Sequence, residues 1–458
     1  MRTLANTFGA LGLLLPVVWA SGCTGQAGAD SGLEAAVDTV DGTPRLTYPG
    51  EGGILLPWSA DTTARIGDVL GDNDAYQFDR VPRTGIAGDS RGNLYVLDVA
   101  GSRVLSYDAE GQHRATVGRA GEGPGELGNP FGLTAGAGDT IWVLDPLNTR
   151  ITGFPPGEGE PRVVTFANVA GFPIGNIAQR ADGFVIQSTP PLRLGGGGSF
   201  RIGGGGARTA IRAPVAGSGG AGVRRGGPAV ARMIGDSATD PRIPIFRVTA
   251  DGGSGDTLWR HTPPPVNTSN VSGGRDRVMV MAFQQTFAPT LRWAAFADGG
   301  IVVSGSDRYE LAVVDRVGNV RFHLARDMQP WLVTETEKEF ARQQVRDTRL
   351  SVIGNAPNMD QMIEMQLQNM TFAETVPRIA GLAVDSKDRI WVGVSLTTPN
   401  AVDRVDIYDK NGAFVGSLDG IKVPDAFLTD NRAATLIRDP DTDVQQVAVY
   451  RIVESARR

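Results

Sequence analysis

Asp98 and Arg103 stand just after the apolar pair Val96-Leu97, and Asp145 and Arg150 repeat the same spacing after Val143-Leu144. A carboxylate and a guanidinium at a short fixed spacing can pair across a turn, and a spacing that recurs implies a recurring turn rather than a reacting pair. A second set is cationic. Arg193, Arg201, Arg208, Arg212, Arg224, Arg225 and Arg232 lie in a Gly-rich stretch with no acidic residue between Asp182 and Asp236. Such a chain can grip lipid phosphates, anionic polysaccharide or nucleic acid without fixed geometry, and is read here as a possible anion-binding loop. The plainer reading is a low-complexity loop with no ligand, which the near absence of aromatic interleaving favours, Phe200 being the one ring available to stack. Signatures of catalysis are sparse. His113, His261 and His323 lie in separate units without the close spacing of a zinc site, and neither a Gly-x-Ser-x-Gly elbow nor a His-Glu-x-x-His pair occurs.

These residues must be positioned by a repeat. Gly85-Ile-Ala-Gly-Asp-Ser-Arg-Gly-Asn-Leu-Tyr-Val-Leu-Asp98 and Gly381-Leu-Ala-Val-Asp-Ser-Lys-Asp-Arg-Ile-Trp-Val392 share one shape: short apolar strand, Asp-Ser turn, apolar strand. From Gly85 to Val117 four strands bounded by Gly, Asp and Ser form an antiparallel meander, the unit of a propeller blade. A second unit carries Asp145 and Arg150. A third begins at Ile174 with outer strands at Pro244–Val248 and Asp256–Trp259, a fourth spans Arg292–Leu324, and a fifth runs from Ile379 to Leu418 with an Asn411-Gly412 hairpin turn. The sixth, from Ala426 to Val453, holds three strands, and Thr63–Gly67 supplies the fourth, closing the ring and removing exposed sheet edges.

The connector Gly118-Arg-Ala-Gly-Glu-Gly-Pro-Gly-Glu-Leu127, the inner strand opening near Gly85 and the Asp98 to Arg103 pair resemble NHL repeats. The likeness runs over about 64–154 and 378–418 and implies an all-β, six-bladed β-propeller (NHL/TolB-like). It also implies that Asp98, Arg103, Asp145 and Arg150 are structural blade contacts. Some propellers of this kind are calcium-dependent lactonases or related hydrolases that hold the metal in the channel with Glu, Asn and Asp. Glu126 and Asn129 could suggest that role, but they sit in an NHL-type connector that explains them without a metal. No metal ligand and no cofactor is therefore assigned, with calcium kept for the hydrolase alternative.

Residues 1–22 read as a secretory signal: one basic residue, a short apolar run from Phe8 to Ala20, then small residues. Ala20-Ser-Gly-Cys23 resembles a bacterial lipobox, with Leu replaced by Ala20, which implies lipidation of Cys23 and anchoring at a membrane surface. Cys23 is the single cysteine, so no internal disulfide is expected. Residues 23–60 read as a flexible tether and 61–458 as the propeller. Two insertions interrupt it. About 190–242 is expected to be a disordered Gly/Arg-rich loop, and 331–376 to be helical, opening on the capping box Thr334-Glu-Thr-Glu337 and carrying Met359, Met362, Ile363, Met365, Leu367 and Met370. That stripe suits either a protein partner or, more commonly, the body of its own chain.

The net charge of −6 gives no case for nucleic acid. The composite expectation is an exported, lipid-anchored propeller of the bacterial cell envelope, at the outer membrane or facing the periplasm, that binds a protein or glycan. The alternative is a metal-dependent hydrolase using the central channel, which requires several inward carboxylates near the axis.

Overall fold

The computed structural model describes residues 33–67, 73–157, 159–166, 172–180, 182–189, 199–201, 210–212, 242–272, 278–351, 359–439, 442 and 444–455. Four-stranded antiparallel sheets follow one another along the chain. Blade 1 comprises Ile86–Gly88, Leu94–Asp98, Arg103–Tyr107 and His113–Val117, and blade 2 comprises Gly132–Ala135, Ile141–Asp145, Arg150–Phe154 and Arg162–Thr165. Blade 3 is Phe172–Arg180, Gly183–Thr189, Ile243–Thr249 and Ser254–His261, and blade 4 is Arg292–Ala295, Ile301–Ser304, Glu310–Val314 and Val320–Asp327. Blade 5 is Ile379–Val384, Ile390–Val394, Arg404–Tyr408 and Phe414–Asp419. Blade 6 takes Ala426–Phe427, Arg432–Arg438 and Gln445–Val453 from one end of the chain and its outer strand, Ser59–Ile66, from the other. The fold is a six-bladed β-propeller, as the repeat predicts.

Burial follows from this stacking. Ile141–Asp145 and Arg150–Phe154 are buried at every position, because the middle strands of a blade have a neighbouring sheet on each face. The outer strand His113–Val117 has no such cover and is exposed at its centre. The Asp-Ser turn has a concrete cause. Asp89 Oδ1 accepts from the amides of Arg91 (2.9 Å) and Asn93 (2.8 Å), and Asp385 Oδ1 accepts from those of Lys387 and Arg389, both at 2.9 Å. Asp108, Asp315 and Asp409 make the same pair of bonds two and four residues on. The carboxylate stands in for the backbone acceptor the turn lacks. Each such turn then needs a left-handed residue, supplied by Gly92 (φ +84°) in blade 1 and by Asp388 (φ +57°) in blade 5.

The segment read as a tether is structured from residue 33 onward. Ala36–Val40 pairs with Thr43–Pro49, and the latter runs parallel beside Val320–Asp327, extending blade 4. Tyr48 Oη donates to Gly412 O (2.9 Å) and accepts from Phe414 N (3.1 Å), pinning the strap to blade 5. Leu56 N donates to Ser417 O (2.8 Å), after which the chain enters blade 6. The reason is edge chemistry: the outer strands of blades 4 and 5 and the third strand of blade 6 present unpaired amides and carbonyls, and the chain from Thr43 to Ile66 meets them in succession. Residues 1–32, including the expected signal segment, lie outside the described residues.

The insertion after blade 4 is helical, as expected, with α1 at Glu335–Ser351 and α2 at Met359–Gln368. Thr334 Oγ1 accepts from Thr336 N (3.2 Å) while the Glu337 carboxylate accepts from Thr334 N (2.8 Å), which is the capping box. Phe287, Ala341 and Val376 form a small core with Trp331, Phe340, Met370 and Phe372. Ile363, Met365 and Leu367 of the methionine stripe are half-buried. The hairpin Val266–Ser272 with Val278–Gln284, between blades 3 and 4, was not anticipated from the sequence.

Candidate functional site on the upper face

The upper face is taken as the one at which each inner strand begins. Asp98 and Arg103 are register partners, with Arg103 Nε 3.3 Å from Asp98 Oδ2, and Arg103 also pairs with Asp74. Asp98 Oδ1 accepts from Arg80 N at 3.0 Å, so it holds the segment leading into blade 1. Asp145 does the same in blade 2, accepting from Gly128 N (2.8 Å), Asn129 N (2.9 Å) and Asn148 Nδ2 (2.7 Å). Arg150 lies 3.9 Å from Asp145 and is held instead by the carbonyls of Glu122 (2.8 Å), Gly123 (2.9 Å) and Glu126 (2.6 Å). Glu126 accepts from Gly123 N at 2.8 Å and pairs with Arg119 at 2.9 Å, so its carboxylate braces the connector.

Cys23, Arg193, Arg208, Arg224, Arg225 and Arg232 lie outside the described residues. Arg201 and Arg212 end two short strands, Ser199–Arg201 and Ala210–Arg212, that pair within the loop expected to be disordered. His113, His261 and His323 all fall on outer strands, of blades 1, 3 and 4, and none joins a cluster of three metal-ligating side chains among the described residues.

The mouth of the channel takes residues from the start of each inner strand. Arg83 stands there for blade 1, Phe131 for blade 2, Phe172 for blade 3, Arg292 for blade 4, Ile379 for blade 5 and Asp425 for blade 6. Arg83 Nη1 lies 2.9 Å from Asp425 Oδ1, and Asp425 Oδ2 accepts from Leu436 N at 2.7 Å. Burial raises the Asp425 pKa, and Arg83 opposes that rise. Arg292 donates from Nε to Ile379 O at 3.3 Å, and no carboxylate among the described residues pairs with it. Its pKa is lowered by burial and, secondarily, by the charge of Arg83. Blades 1 and 4 stand opposite in a six-membered ring, so Arg83 and Arg292 enter the mouth from opposite sides. Phe131 and Phe172 meet edge to face at 5.9 Å beside them. Sequence reasoning missed this set because each member belongs to a different blade.

No protein-family profile matches the chain, and no curated protein does. Solved structures are similar to it at low identity. A Bacteroides fragilis protein is 10% identical with a TM-score of 0.41, covering 88% of this chain and 96% of that one. A calcium-binding regucalcin from Agrobacterium tumefaciens is 9% identical with a TM-score of 0.37, covering 88% and 99%. A Xanthomonas campestris gluconolactonase is 12% identical with a TM-score of 0.33, covering 80% and 85%.

The mouth itself can be tested for a divalent cation. Among the described residues that start the inner strands the one carboxylate, Asp425, is taken up by Arg83, and Arg292 adds a second positive charge. Among the described residues no three His, Cys, Asp or Glu side chains converge. Two guanidiniums against one carboxylate repel calcium, which takes six or more oxygen ligands, so the residues present do not fit the metal. They suit an anion. No helix among the described residues is long and apolar enough to cross a membrane.

Proposed function

We propose that this chain is a binding propeller of the bacterial cell envelope, held at a membrane surface through lipidated Cys23, that receives an acidic group of a protein or glycan partner at the channel mouth. The observation that carries the reading is Arg292, a part-buried guanidinium at the start of an inner strand that donates only to Ile379 O and has no carboxylate partner among the described residues, while the one carboxylate named at the mouth, Asp425, is held by Arg83. A guanidinium fork matches a carboxylate in two hydrogen bonds, and partial burial strengthens such bonds relative to water. The flanking Phe131 and Phe172 offer an apolar shelf for the rest of the ligand. The NHL-like repeat is then scaffold, and the hydrolase alternative has no specific observation to favour it.

Calorimetric titration with polygalacturonate, against neutral dextran, tests the reading. Salt-sensitive binding of the acidic polymer is expected, weakened about tenfold or more in Arg292→Ala, the loss of one charge-assisted pair. Equal binding of both polymers, or an unaffected Arg292→Ala variant, would refute it. For the address, Cys23→Ala is expected to leave the membrane fraction.

A further inference from the structure

A cavity of about 540 Å³ opens on the upper face between blades 4 and 5. It lies among Glu51, Asp327, Met328, Arg378, Leu396 and Arg404. Its volume falls in the range of small-molecule sites. None of its lining residues is among those named at the channel mouth, although Arg378 directly precedes Ile379.

The two guanidiniums at its wall are incompletely paired, whereas its two carboxylates, Glu51 and Asp327, are exposed at the edge. Arg404 Nε lies 2.9 Å from Asp406 Oδ1, but Asp406 is already committed: Oδ2 pairs with Arg326 Nη1 at 2.7 Å, and Oδ1 accepts from Ser417 Oγ at 2.6 Å. One carboxylate thus serves two guanidiniums. Arg378 has no carboxylate partner among the described residues. Its Nη2 donates to Gln329 O at 2.7 Å, its guanidinium lies 5.3 Å over the Trp331 ring, and its Nε is buried without an acceptor. The stacking and the carbonyl hold the group in place, so little rotamer entropy is left to lose on binding. Nη1 makes only a long contact with Ser395 O, at 3.5 Å, so this end of the guanidinium is left for a ligand oxygen. Met328 and Leu396 give the site an apolar side, and the exposed carboxylates of Glu51 and Asp327 at its edge are acceptors for hydroxyl groups.

We propose that this cavity binds a small hydroxylated organic anion, with its carboxylate or phosphate group on Arg378 and Arg404 and its hydroxyls toward Glu51 and Asp327. The site is independent of the channel mouth. A sugar acid and a sugar phosphate present the same chemistry to it, and titration separates them.

The intact protein is titrated calorimetrically with glucuronate, with glucose 6-phosphate and with glucose. At least one anion is expected to bind more tightly than about 1 mM, with glucose showing no heat. Arg378→Ala is expected to weaken that binding tenfold or more, and Arg378→Lys to weaken it less. Leu396→Trp, which fills the space and leaves both guanidiniums in place, is expected to abolish it. Lys410→Ala, at an exposed hairpin turn on the lower face, serves as the control and is expected to bind as the unaltered chain does. Melting curves of each variant establish that it is folded. Absence of binding by both anions overturns the proposal, as does binding that survives in folded Leu396→Trp or in folded Arg378→Ala.

Discussion

Arg326 of blade 4 and Asp406 of blade 5 meet at 2.7 Å with neither side chain reached by solvent. The same guanidinium donates to Pro49 O at 3.0 Å and Gly52 O at 2.8 Å, so a single buried charge pair joins two blades and the N-terminal strap. Tyr309 Oη adds a bond to Asp406 Oδ2 at 3.1 Å. Removing the carboxylate leaves two arginines uncompensated, one of them fully buried. Asp406→Ala is expected to lower unfolding free energy by about 3–5 kcal/mol, and Ser417→Ala by about 1 kcal/mol. Urea denaturation measures both, and equal midpoints would contradict the argument.

Asp425 gives the mouth a pH dependence. Its carboxyl has a raised pKa through burial, so the folded chain holds that proton more tightly than the unfolded chain. The stability it contributes is complete below the ordinary aspartate value of 3.8 and is lost as pH rises through the raised value. Asp425→Asn is therefore expected to flatten the stability profile over that window. Protonation also frees Arg83, so polygalacturonate is expected to bind more tightly on mild acidification, and this gain is expected to vanish in Asp425→Asn. A pH-independent wild type, measured by calorimetry, would count against the coupling.

The strap makes two separable contributions. Removing residues 33–57 leaves Ser59–Ile66 to close blade 6 but bares the outer edges of blades 4 and 5, so a folded but less stable and more aggregation-prone chain is expected. Removing residues 33–66 also strips the outer strand from Gln445–Val453 and uncovers Val447 and Val449, and loss of soluble monomer is expected. Size-exclusion chromatography with thermal melting distinguishes the two, and identical behaviour would show that strand exchange does not close the ring.

Close approach of inner strands requires glycine at one point. A Cβ at Gly132 would collide with the Gly175 carbonyl oxygen of the neighbouring blade, where neither partner is a flexible side-chain end. Gly132→Ala is expected to cost about 1–3 kcal/mol through forced separation of blades 2 and 3. A melting temperature unchanged from the parent would show that the strands can part freely.

Much of the blade pattern was legible because its causes are local. An apolar run, an aspartate two and four residues before the amides it caps, and a residue able to take positive φ act within a few positions of each other. Asp98 and Asp145 were visible for the same reason, although the pairing of Arg150 with connector carbonyls rather than chiefly with Asp145 was not. Residues 33–60 carry a short hairpin signal, Val37 to Leu46 around Asp41-Gly42, which the Gly, Ala, Ser and Asp content of the preceding residues obscures, and the blade edges that the segment covers lie hundreds of residues away.

The sequence by itself determined the repeating sheet, the turn chemistry, the place of the helical insertion and the use of an N-terminal strand in the last blade, all of which follow from short-range patterning. Only the tertiary structure decided that Arg83 pairs with Asp425, that Arg292 reaches the Ile379 carbonyl, and that Arg378 and Arg404 border one cavity. Ring closure brings together residues remote along the chain, and no periodicity records which of them meet at the axis or at a boundary between blades. The Asp98 and Asp145 turns hold the sheets in place, while the binding proposed here would reside in arginines whose neighbours the chain acquires only when the ring is complete.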